Sequence, residues 1–181
     1  MAQPILNFLK RISNIDNTLD KQIDVLLKLL HTHNTKLILP KDFLITEQIS
    51  EFSKTCLANT NDLLENWQIV DIGPKSISQI QGIIDESSTI FWNGPMGIFE
   101  IEKYSKGTSQ IAKTLAKANN KLTVLGGGST VQAVRNEELG DKFSHISTGG
   151  GAFLKFLEGQ TLPALIPVSY THLTLPTSDL V

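Results

Sequence analysis

Residues Thr89 to Glu100 read TIFWNGPMGIFE, and the rest of the chain is organised around them. Thr89, Ile90, Phe91 and Trp92 form a β-branched and aromatic run suited to a buried strand. Asn93-Gly94-Pro95 breaks that run, and a Met-Gly-Ile-Phe segment leads to the carboxylate of Glu100. An open α/β sheet places its ligands where a strand stops abruptly in a turn of this kind. Pro95 fixes the backbone, while Gly94 and Gly97 let it pass close to another surface. Met96, Ile98 and Phe99 offer apolar area suited to a flat ring. The same residues also suit a strand followed by an apolar connector packed into a core.

The bulk numbers narrow the class. The 181 residues allow one domain with a real core, and 40% hydrophobic with 19% charged residues reads as soluble and globular. Sixteen basic residues against eighteen acidic ones leave a net charge of −2, with no basic patch to attract nucleic acid. No apolar run approaches the roughly 20 residues that span a bilayer. Asn7, Lys10 and Arg11 interrupt the start too early for a secretory signal. Cys56 is the single cysteine, so no internal disulfide forms, which fits a reducing cytoplasm. Nothing marks it as an activated nucleophile.

Along the chain, helical and strand patterns alternate. Pro4 suits the first turn of a helix carrying Ile5, Leu6, Phe8 and Leu9. Leu19 to Leu30 carries a helical stripe, and His31 and His33 read as its solvated end, since no third ligand accompanies them. Lys36 to Pro40 reads as a short strand closed by its proline. Residues 45–66 read as an exposed loop. Trp67 to Lys75 predicts a strand and a sharp turn, and Ser76 to Glu86 a helix with Ile77, Ile80 and Ile84 inward. Gly73-Pro74-Lys75-Ser76 lacks the first glycine of a Walker phosphate loop. Tyr104 to Asn119 predicts a helix, Leu122 to Leu125 a strand, and a further helix begins near Val131. Phe143 and Ile146 suggest a last short strand, and Phe153, Leu154, Phe156 and Leu157 an apolar helix. Strand–helix alternation predicts an α/β fold with a Rossmann-like, doubly wound parallel sheet and helices on both faces, its glycine turns on one edge.

Two of those turns suit anions. Gly126-Gly127-Gly128-Ser129-Thr130 joins a strand to a helix, bringing bare N–H groups together at a helix start worth about half a positive charge. A tight connection with no ligand is the alternative. A dinucleotide-binding reading fails because the G-x-G-x-x-G spacing is absent and no clear ribose-binding acid closes a following strand. Gly149-Gly150-Gly151 opens the next helix and offers a second cluster of donors. His145 suits a structural hydrogen-bonding role better than general base catalysis.

These stretches resemble the phosphoglycerate kinases. WNGPMGIFE is similar to that family's WNGP-x-G-x-FE segment, and Trp67 to Lys75 to its W-M-G-L-D-I-G-P-K, with Gln68 and Val70 as departures. GGGST is similar to G-G-G-D-[ST], and His145 to Ala152 to H-[IV]-S-T-G-G-G-A. The resemblance implies the nucleotide-binding, C-terminal domain of the family, with magnesium and ADP or ATP as cofactors. It assigns nucleotide contacts to Asn93, Pro95, Ile98 (against the adenine) and Glu100 (on the ribose), and to Gly126, Gly127, Gly128, Ser129 and Thr130. It implies that Gly149, Gly150 and Gly151 donate to the transferring phosphoryl group. Ser129 stands where the family has a magnesium-binding aspartate, so metal binding is expected to be weak.

The resemblance covers residues 1–165. In the family a segment similar to Met1–Lys10 follows a triple-glycine turn, so the resemblance implies a start at an internal methionine, truncated relative to the family. The family's lysine-bearing G-G-A-K-V-x-D-K stretch and its N-terminal domain, which binds 3-phosphoglycerate or 1,3-bisphosphoglycerate, have no counterpart here. The chain alone is therefore expected to be inactive. Residues 166–181, IPVSYTHLTLPTSDLV, read as a disordered or foreign tail. A monomer is expected for the full-length family.

Overall fold

The computed structural model describes residues 25–160, apart from 27, 65 and 148. The expected helix at Met1–Lys10, the start of the Leu19–Leu30 helix and the 166–181 tail lie outside the described residues. Positions 25, 26 and 28–32 are helical. The chain divides into two compact units. One comprises the residues through Glu86 plus Met96–Thr114, the other Ser87–Pro95 plus the residues from Leu115 onward.

In the first unit, strands β1 (Asp42–Thr46), β2 (Thr55–Asn59) and β3 (Gln68–Ile72) form an antiparallel sheet in the order β2-β1-β3. A parallel sheet was expected throughout. The parallel sheet is confined to the second unit; here no helix separates the three strands, and the direct connection from β1 to β2 gives an antiparallel pair. Residues 35–40 carry no regular structure, and the strand expected there begins instead at Asp42, past the proline. The 45–66 stretch contains β2 rather than being all loop. Only Ala58 of its five residues is buried, so TCLAN shows no apolar alternation, and its backbone pairing with β1 makes it a strand. Phe43, Ile45 and Ala58 form one core cluster, with Leu39, Leu63, Trp67 and Ile69 packed against them.

Helix α1 (Pro74–Glu86) follows β3. Pro74 suits its first position, and the Asp42 carboxylate caps it by accepting from the Lys75 and Ser76 amides at 3.1 and 2.8 Å. Beyond Met96, the Ile98 amide donates to the Val70 carbonyl at 2.9 Å. A 3-10 turn at Glu102–Tyr104 then leads to α2 (Lys106–Ala116). This helix ends short of the expected Asn119, and Asn120 adopts φ +67°, the left-handed conformation that asparagine tolerates.

In the second unit, β4 (Thr89–Asn93), β5 (Leu122–Gly126) and β6 (His145–Ser147) form a parallel sheet in the order β4-β5-β6. Helices α3 (Gly128–Asn136) and α4 (Gly150–Leu157) follow β5 and β6, and both pack on β5. Leu125, Val131, Ala133, Val134 and Trp92 are buried. The Thr123 and Ser144 side chains each accept from the other's amide, at 3.2 and 3.1 Å, tying the base of β6 to β5. The fold is α/β, with a Rossmann-like parallel part.

Candidate functional site: the glycine corner

The three parallel strands end in register: Asn93 lies opposite Gly126, and Gly126 opposite Ser147. Each strand end runs into a glycine turn, so three turns are brought to one edge of this sheet. Gly127 adopts φ +88° and ψ 137°, a conformation essentially confined to glycine. A side chain there would also meet the Asn93 amide oxygen, 2.8 Å from the position of its Cβ. At Gly150 a Cβ would lie 2.8 Å from the Gly127 Cα and 3.2 Å from its nitrogen. The second glycine turn therefore passes against the backbone of the first, and only glycine fits the approach.

Helices α3 and α4 start at this corner, at Gly128 and Gly150. The first amides of a helix have no intrahelical acceptor and carry the positive end of its dipole. Two such starts side by side suit an anionic group. Gly128, Ser129, Gly149 and Gly151 are exposed. No heavy atom lies within 4 Å of a Cβ position at Gly128 or Gly151, so these backbones are open to approach.

Thr130, expected to contact nucleotide, is fully buried at 0% exposure, and its hydroxyl accepts from the Gly94 amide at 2.7 Å. The Gly94 carbonyl accepts from the Trp92 indole, also at 2.7 Å. The structure thus brings together Asn93, Gly94, Gly127, Thr130 and Gly150, with Pro95 next in the chain. Ile98 and Glu100 belong to the other compact unit, where Ile98 is half-buried and Glu100 exposed. His145 is exposed at the first residue of β6, opposite Val124. That is the strand end away from the glycines.

Two buried carboxylates escaped the sequence reading. Asp71, on β3, accepts from the Ile72 and Gly107 amides at 2.8 and 2.7 Å. Burial outweighs these bonds and pushes it up to about 6. Burial likewise raises Asp42, but its bonds from Ser76 and Lys75 outweigh that and hold it below the ordinary carboxylate value. The available signal was an acid inside an apolar strand, Ile-Val-Asp-Ile, where a charge needs partners. Among the described residues no three His, Cys, Asp or Glu side chains converge as a metal site.

The family model described as Phosphoglycerate kinase matches residues 7–160. A phosphoglycerate kinase of Prochlorococcus marinus is 44% identical over 132 residues, covering 72% of this chain and 33% of that protein. One from Latilactobacillus sakei is 37% identical over 158 residues, covering 86% and 39%. The solved structure of phosphoglycerate kinase from Coxiella burnetii superposes with a TM-score of 0.79 at 34% identity, over 90% of this chain and 43% of that one. That from Pyrococcus horikoshii gives 0.71 at 26% identity, over 91% and 44%. The chain thus spans about a third of the length of the curated relatives it matches. A family match over most of the chain, agreeing with strand ends that converge on its glycine motifs, places this chain in the phosphoglycerate kinase family.

Proposed function

We propose that the chain carries the nucleotide-binding half of a phosphoglycerate kinase, the C-terminal domain of the family, and that the glycine corner receives the phosphates of ADP or ATP. The observation that supports this reading best is the approach of Gly150 to Gly127, which sets two helix starts beside one another. Gly126 to Ser129 would line the nucleotide phosphates, and Gly149 to Gly151 would donate to the phosphoryl group in transfer. The family pattern gives Asn93 and Pro95 nucleotide contacts, Ile98 the base and Glu100 the ribose.

In the complete reaction the acyl phosphate of 1,3-bisphosphoglycerate passes its phosphoryl group to the terminal phosphate oxygen of ADP, leaving 3-phosphoglycerate and ATP. Such transfer rests on positioning and charge stabilisation rather than covalent help from the protein. Clustered backbone donors serve that purpose.

The donor set suits magnesium that arrives on the nucleotide phosphates, because Ser129 offers only a neutral oxygen and magnesium keeps several waters at such sites. When bound, the ion would neutralise phosphate charge. The serine favours a second reading, a nucleotide-binding fragment that does not catalyse. Location is proposed as cytoplasmic; no helix among the described residues is long and apolar enough to cross a membrane. Calorimetric titration with magnesium-ADP tests the reading, with NAD as the control. Saturable heat with the first and none with the second is expected; no heat with magnesium-ADP overturns it.

A further inference from the structure

We propose that Thr130 is a positioning residue, whose buried hydroxyl holds the Gly94 peptide and so sets the Asn93-Gly94-Pro95 turn at the corner, without itself meeting the ligand. The inference rests on the corner being the nucleotide-phosphate site. Gly94 is gripped at both of its polar groups: Thr130 of α3 takes its N–H at 2.7 Å, and the Trp92 indole gives a proton to its C=O at 2.7 Å. Beyond its chain neighbours no heavy atom lies within 4 Å of a Cβ position there, and its φ is +100°. Tertiary packing therefore does not select this conformation; besides the restriction from Pro95, the two side-chain hydrogen bonds hold it.

The first turn of α3 therefore divides its hydroxyls. Ser129 is exposed, whereas Thr130 is wholly buried with an acceptor site committed to Gly94. The Gly94 N–H is committed as well, so the donors left for an anion come from the starts of α3 and α4. Asn93 sits between the two gripped neighbours, with its amide oxygen against Gly127. Releasing Gly94 would free Asn93 to turn and loosen the approach between the glycine turns. A hydrogen bond joining neighbouring segments across a site acts on geometry, and small misplacements at phosphate sites are costly.

Trp92 provides the readout. The full chain holds two tryptophans, Trp67 and Trp92, and only the second bonds Gly94. In the full 181-residue chain, Thr130→Val keeps the side-chain shape but removes the hydroxyl, and Thr130→Ser keeps the hydroxyl. Expected for Thr130→Val are a shifted Trp92 indole N–H resonance, an unmoved Trp67 resonance, and magnesium-ADP binding weakened tenfold or more; Thr130→Ser restores both. Weakened binding with an unmoved Trp92 resonance would mean that Thr130 touches the ligand, and would overturn the proposal, as would no change in either. If the unmutated chain fails to bind magnesium-ADP, the corner reading falls while the indole shift still decides the clamp. Hydrogen exchange at the Gly94 amide of the unmutated chain needs no variant to fold: protection is expected, and rapid exchange would overturn the clamp.

Discussion

At the scale of single residues, the corner depends on what glycines lack. Gly127→Ala would force a side chain into φ +88° and against the Asn93 amide, at a cost of about 1–3 kcal/mol for the backbone alone. A urea midpoint lowered by that free energy divided by the denaturant slope, with the slope itself unchanged, is the expected measurement. Gly150→Ala would press on the Gly127 backbone, where no rotamer relieves the overlap, and overpacking costs about 1–3 kcal/mol. Ser129→Asp has the opposite sign. Its site is exposed in the first turn of α3, where a carboxylate stabilises by about 0.3–1 kcal/mol, and it should also tighten magnesium-ADP binding in calorimetry. Unchanged affinity would remove the metal argument even if the melting temperature rose.

At the scale of elements, two acids tie helices to strands and respond oppositely to pH. Asp42 on β1 holds the start of α1 through the amides of Lys75 and Ser76 and the Ser76 hydroxyl. Its lowered pKa means that its contribution is present above the ordinary 3.8 and is lost as pH falls through the folded value. Asp42→Ala should cost about 2–4 kcal/mol at neutral pH, since it removes a cap and strands buried donors. Asp71 on β3 holds the start of α2 through Gly107. Raised from 3.8 to about 6, it binds a proton more tightly folded than unfolded, so stability falls as pH rises between those values. The loss reaches about 3 kcal/mol at most, by the free energy of one pKa unit. Asp71→Asn should flatten that part of the profile; a wild-type slope retained in the variant's pH–stability curve would count against the assignment.

At the scale of the whole molecule, the proposed reading as a nucleotide-binding half, in a chain that spans about a third of its relatives' length, predicts no turnover of 1,3-bisphosphoglycerate and ADP when the 181 residues are assayed by themselves in a coupled assay. Measurable turnover would sink that expectation. The sequence by itself determined the family and the parallel half of the fold. Glycine turns, Asn-Gly-Pro and the β-branched and apolar runs of β4 and β5 are local signals, readable because backbone sterics and strand propensity act within a few residues, although only Trp92 of β4 is buried. Tertiary structure alone decided the rest. β2 is a strand only because β1 pairs with it, and Asp42 and Asp71 became buried caps only when distant helix starts arrived beside them. The hydrogen bond from Gly94 to Thr130 exists only because α3 lies beside the turn that follows β4. Hydrogen bonds between residues 36 positions apart leave no periodicity in a chain, and burial, which gives such bonds their weight, exists only after folding.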